Sequence, residues 1–236
     1  MSGNRILLPT RRGFLASTGA LALAGCSGNL IGPPPAPQLY VLHPDFTPLP
    51  MAPAVPWQLI VAVPVAPESF DTERIALTRA PNIMDYYANA QWTDRAPLLL
   101  QGLLVEAFEK SGKITAARES TGIRGDYILA SEIHDFEAFY AVIDTAPKVQ
   151  VHLSVSLLGA LRHDVLATLQ AQHEAQAAAN DLPSVTAAFA QATGAVVEEI
   201  VNWVLHTPLL GADQAAPVSA PAARPPPRRH RHRHSR

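Results

Sequence analysis

The 236-residue chain has one cysteine, so no disulfide can form within it. Aromatic residues make up only 6%, although the apolar fraction is 48%, enough for one ordinary domain with extensions. No apolar run approaches the roughly 20 residues that a membrane-spanning helix needs. The sequence also lacks a P-loop, a dinucleotide fingerprint, a nucleophile elbow and a zinc-type helix motif. No cofactor is therefore expected. Residues 26–207 hold 9 basic and 19 acidic residues, a net charge of −10. That segment is a poor nucleic-acid binder, because neutralising phosphates takes clustered Lys and Arg.

What the chain does have is proline, 22 of them, crowded into the stretch from Ile31 to Pro67 and into the last thirty residues. These stretches read as linker and tail. The first 25 residues carry Arg5, Arg11 and Arg12 and no acid. Thr10-Arg11-Arg12-Gly13-Phe14-Leu15 resembles a twin-arginine export signature, and a short, weakly apolar run follows to Ala24. Leu23-Ala24-Gly25-Cys26 resembles the bacterial lipobox. Small residues at 24 and 25 admit a signal peptidase. The Cys26 thiol would take a diacylglyceryl group and its freed amine a further acyl chain. At about 0.8 kcal/mol per buried methylene, two or three chains make a stable anchor where one does not. Ser27 follows the cysteine. By resemblance to sorted lipoproteins, serine there favours the outer membrane over the inner.

The expected organisation is a signal peptide over 1–25, a lipidated Cys26 with a Pro/Gly-rich spacer to 37, a working domain over 38–207 and a Pro/Arg/His-rich tail over 208–236. Within the domain, 38–42, 58–63, 74–79 and 114–118 read as strands, and 86–92 as a strand or an aromatic loop. The residues from Tyr127 to Phe136 read as a longer strand placing Glu132, His134 and Phe136 on one face. Lys148–Leu157 alternates without a fault and should pair with a second alternating run from Val165 around a turn at 159–163. Pro97 suits the first turn of a helix ending before Gly112. A second helix should run from 184 to 206, with Ser184 as N-cap and Phe189, Ala192, Val196, Ile200 and Trp203 as its apolar stripe. Together these give an α/β two-layer sandwich: a mixed or antiparallel sheet with two main helices on one face.

Candidate chemistry is thin. His134 beside Asp135 suggests an acid–base pair, but neighbours in a regular strand point to opposite faces. Glu198 and Glu199 read as a solvated helix edge. His152, His163 and His173 fall in the hairpin region, where isolated strand histidines are usually polar surface, and no catalytic or metal site is assigned. From Pro208 onward six arginines and one aspartate give +5. That tail reads as a solvated extension able to touch anionic lipid or cell-wall polymers.

A succession of motifs carries a resemblance over about residues 38–207. Tyr40-Val41-Leu42 follows the lipobox and spacer. Next come the Ile60–Val63 strand, Ile75-Ala76-Leu77-Thr78-Arg79, and Tyr87 with Gln91-Trp92 before a helix. Asp126-Tyr127-Ile128-Leu129 and Asp135-Phe136 complete it. This resembles the PqiC-like auxiliary lipoproteins of ABC-type transport systems; the basic tail lies outside the pattern. The resemblance implies a fold like the N-terminal domain of TolB, and a partner rather than a catalyst. Its partners would be an MCE-domain (mammalian cell entry) protein with separate permease and ATPase chains, moving phospholipid or another apolar molecule. The alternative is a structural envelope lipoprotein, such as a cell-wall or Tol-like scaffold. Self-association is left open.

Overall fold

The computed structural model describes residues 36–46, 51–79 and 83–209. In chain order these form β1 (Gln38–Tyr40), β2 (Gln58–Val61), β3 (Arg74–Arg79), β4 (Ile83–Trp92), α1 (Ala96–Ser111), β5 (Thr115–Arg118), β6 (Tyr127–Tyr140), β7 (Lys148–Gly159), β8 (Val165–Gln176) and α2 (Leu182–His206). The eight strands make one mixed sheet, and both helices pack on it and on each other, as the expected two-layer sandwich requires.

β6 organises this sheet. One of its edges pairs antiparallel with β7 from Tyr127 to Phe139. Its other edge is shared end to end. β2 lies parallel along Tyr127–Leu129, and β3 lies parallel along Ala138–Tyr140. β5 extends the sheet beyond β2, while β4 and then β1 extend it beyond β3. β2 is therefore internal, with Leu59, Ile60 and Val61 all buried, as an unbroken aliphatic run demands.

The alternation of β7 translates directly into packing. Val149, Val151, Leu153, Val155 and Leu157 are all buried beneath α2, each worth about 1.5–3 kcal/mol relative to exposure. β6 departs from simple alternation. Its register against β7 shifts between Ile133 and Asp135, a β-bulge at His134. Leu129, Ser131 and Ile133 point to the core before the bulge, and Phe136, Ala138 and Tyr140 after it. Phe136 thus does not share a face with Glu132 and His134; the extra residue inverts the phase.

Phe136 meets Trp92 of β4 and Phe189 of α2, with ring centroids 6.0 and 5.1 Å away, and Trp92 and Phe189 meet edge-on at 5.1 Å. This trio joins β4 and α2 to the central strand. α1 carries Pro97 in its first turn, where the missing N–H costs nothing, and stops at Gly112, which takes the left-handed conformation (φ 62°). Gln101 is buried and donates from Nε2 to the Val61 carbonyl at 2.9 Å, tying α1 to the end of β2. The N-cap of α2 is Asp181, not Ser184. The Asp181 carboxylate accepts the Ser184 backbone N–H at 2.8 Å, and Pro183 follows in the first turn. Trp203 lies at the margin of the apolar stripe, half-buried, and Val204 takes the core position. After β1 the chain crosses α2 at Gly194, where an added Cβ would sit 3.2 Å from Pro44 Cβ.

Candidate functional site

Cys26, Arg11, Arg12, Leu23, Ala24, Gly25 and Ser27, the residues assigned to export and lipidation, lie outside the described residues, as does the tail from 210. The described domain shows where its own polar side chains gather.

The bulge brings His134 and Asp135 onto the sheet face away from the helices. There the two histidine rings, His134 and His152, lie 4.8 Å apart. Asp135 approaches His152 Nδ1 at 3.3 Å, His152 Nε2 meets Gln170 Oε1 at 3.0 Å, and Ser154 Oγ donates to the same Gln170 oxygen at 3.0 Å. His134 hydrogen-bonds Ser154. Acid, imidazole and hydroxyl thus meet, but not in one relay. The ring on Ser154 is His134, whereas the Asp135 carboxylate lies against the other ring, His152, whose Nε2 is engaged by Gln170. The cluster instead forms a connected polar patch across β6, β7 and β8. His163 is elsewhere, in the β7–β8 turn, and His173 Nε2 pairs with Glu199 of α2 at 3.0 Å. The three hairpin histidines are not brought together.

A second gathering was not flagged by the sequence. β3 and β4 pair Ala76 with Tyr86 and Arg74 with Gln91, so four residues of β4, Tyr87–Ala90, oppose the single Ile75. Asn89 turns this outpouching with φ 55°. The distortion opens a cleft of about 510 Å³ lined by Arg74, Leu77, Tyr86, Tyr87, Tyr140 and Asn180, among others. The Arg74 guanidinium stacks 3.6 Å over the Tyr86 ring. Tyr87 and Tyr140 share a hydroxyl–hydroxyl bond of 2.8 Å, and Tyr140 donates on to Asn180 Oδ1 at 2.7 Å. Burial, and then the bond to Tyr140, hold the Tyr87 phenol above its ordinary value, so it stays protonated. In the cleft wall Arg79 pairs with Asp85. Thr78 Oγ1 donates at 2.7 Å to Glu137, whose carboxyl is pushed up by burial despite that bond. The signal available in sequence was the Tyr86-Tyr87 pair in an aromatic-poor chain. These groups can hold a partner, but they present no nucleophile with an adjacent base.

Against this geometry, residues 40–201 match the model of the ABC-type transport auxiliary lipoprotein component family. The chain belongs to that family. The match runs from the last residue of β1 into α2 and leaves the basic tail outside. The crystal structure of a Xanthomonas campestris protein of the DUF330 family is similar at 36% identity and TM-score 0.68, covering 72% of this chain and 95% of that one. An uncharacterised protein shares the fold at 13% identity and TM-score 0.57, covering 72% of this chain and 99% of that one. No curated protein matches the chain. As a family member this chain is a lipoprotein auxiliary to a transport system, anchored in the envelope. Among the described residues no helix is long and apolar enough to cross a membrane.

Proposed function

We propose that this chain is the membrane-anchored periplasmic auxiliary lipoprotein of an ABC/MCE-type system moving phospholipid or another apolar molecule across the cell envelope. The supporting observation is the family match over 40–201 standing behind a lipobox at 23–26. In this reading Arg11 and Arg12 direct twin-arginine export of the folded chain, and Leu23, Ala24 and Gly25 present the cleavage site. Cys26 carries the acyl chains, and Ser27 sends the product to the periplasmic face of the outer membrane. Residues 26–37 act as spacer and 38–207 as the docking domain, which engages an MCE-domain protein whose permease and ATPase are separate chains. The outer edge of β8 pairs with no strand among the described residues, which leaves it open to a second copy. Purification of the tagged, lipidated protein from its own envelope tests the reading. An MCE-domain protein should co-purify. A clean pull-down without one, together with unchanged lipid asymmetry on deletion, refutes it.

The basic tail favours a second reading, a structural envelope lipoprotein bound to the cell wall. Peptidoglycan sedimentation of the full chain against one truncated after Thr207 separates the two; equal sedimentation removes this reading.

A further inference from the structure

We propose that the corner of the domain formed by the β7–β8 turn and the end of α2 docks on a bilayer surface that carries anionic lipid. The turn is a built structure. Gly159 N–H donates to the Asp164 carbonyl at 3.0 Å, His163 N–H donates to the Gly159 carbonyl at 2.8 Å, and His163 holds φ 57°. At the tip of this closed turn Leu161 is 97% exposed, with Val165 60% and Leu166 40% exposed where the strand resumes. The Arg162 side chain, 84% exposed, has Asp164 beside it at 3.5 Å. An apolar tip with a flanking guanidinium is the composition that enters a headgroup layer, the leucine among acyl carbons and the cation at phosphate depth.

The same corner is where the chain leaves the domain. Trp203, His206, Thr207 and Pro208 line a groove against Ala167 and Leu169 at the start of β8. Beyond Leu209 come 27 further residues holding six arginines and one aspartate. Residues 26–207, at −10, are repelled by an anionic surface. The +5 tail issues only from this corner, so the field of such a surface orients the molecule with the tip toward it. Apolar insertion and basic attraction then act together, the combination that stable peripheral binding needs.

The test uses the full lipidated chain in vesicles of phosphatidylcholine, with and without phosphatidylglycerol. L161C carries an environment-sensitive fluorophore, and V142C, 62% exposed in wild type and in the β6–β7 connection at the opposite end of that hairpin, is the control. The labelled L161C chain should shift to the blue and be quenched roughly twofold by nitroxide-labelled lipid in the anionic vesicles. The shift should fall with salt and on removal of residues 210–236, while V142C stays in water. Equal signals at the two sites, a water-like L161C label in anionic vesicles, or shielding of that label by purified peptidoglycan but not by vesicles each overturn the proposal. Labelling of the wild-type chain would instead show Cys26 unacylated, a failure of the lipidation reading alone.

Discussion

If the bulge at His134 sets the phase of β6, then Phe136 and Phe139 have opposite energetic weights from those that simple alternation assigns. Unbroken alternation from Leu129 and Ile133 would put Phe139 in the core and Phe136 outside. In the structure Phe136 is buried between Trp92 and Phe189, and Phe139 is half-buried. Phe136→Ala removes a ring packed against two others and should cost about 3–5 kcal/mol. Phe139→Ala and His134→Ala, at less buried positions, should cost about 1 kcal/mol or less. Urea unfolding of the domain followed by circular dichroism measures this. With a slope of about 2 kcal/mol per molar, Phe136→Ala should lower the midpoint by roughly 1.5–2.5 M. In thermal melts the same change amounts to about 6–20 °C for a domain of this size. A cost for Phe139→Ala equal to or above that of Phe136→Ala refutes the bulge and with it the orientation of Tyr140 toward the cleft.

Cys26→Ser should leave an uncleaved or soluble precursor whose domain still folds; processed, membrane-anchored protein in fractionation would sink the lipidation reading. Asp181→Ala should lower the unfolding midpoint at neutral pH by removing the cap on Ser184. The Asp181 carboxyl is held below its ordinary 3.8 by that backbone bond, so its stabilisation is present above 3.8. The wild-type advantage should shrink as pH falls from that value, and a pH-independent difference would contradict the cap. Glu137 shows the opposite sign. Its carboxyl is raised above 4.5 by burial, so the unfolded chain loses its proton first as pH rises and stability falls through that window. Glu137→Gln, which keeps an acceptor for Thr78, should be neutral to stabilising at pH 7 and without effect below pH 4.5; marked destabilisation at pH 7 would show that the charge is needed.

Where one periodicity governs an element, the sequence displays it. The alternation of residues 148–157 is β7, the apolar run 58–63 contains the internal β2 (58–61), and Pro97 with Gly112 brackets α1. Where a single residue resets the pattern, it does not. His134 is neither glycine nor asparagine, so nothing in its type announces a bulge, and the error propagates to Phe136. Asp181 and Ser184 are both good capping residues; only the chain direction entering α2 chooses between them. The cleft is illegible for a different reason, since Arg74, Tyr87, Tyr140 and Asn180 come from four separate stretches that only the folded sheet assembles. The proposed anchor segment lies outside the described residues and rests on the order of Arg-Arg, apolar run, lipobox-like stretch and spacer alone.

The way β1 joins the sheet bears on how the molecule carries mechanical tension. β1 has three residues, runs parallel to β4 and pairs with no other strand among the described residues. A pull on the chain from its N-terminal side enters there and loads the β1–β4 bonds in shear, ahead of the long β6–β7–β8 ladders. β1 and the crossing at Gly194 therefore act as a fuse. They yield first, paying out roughly 30 Å of chain over residues 38–46, and leave the β2–β8 core and its cleft standing. In single-molecule stretching this would appear as a small, reversible first extension at low force, preceding the cooperative rupture of the domain.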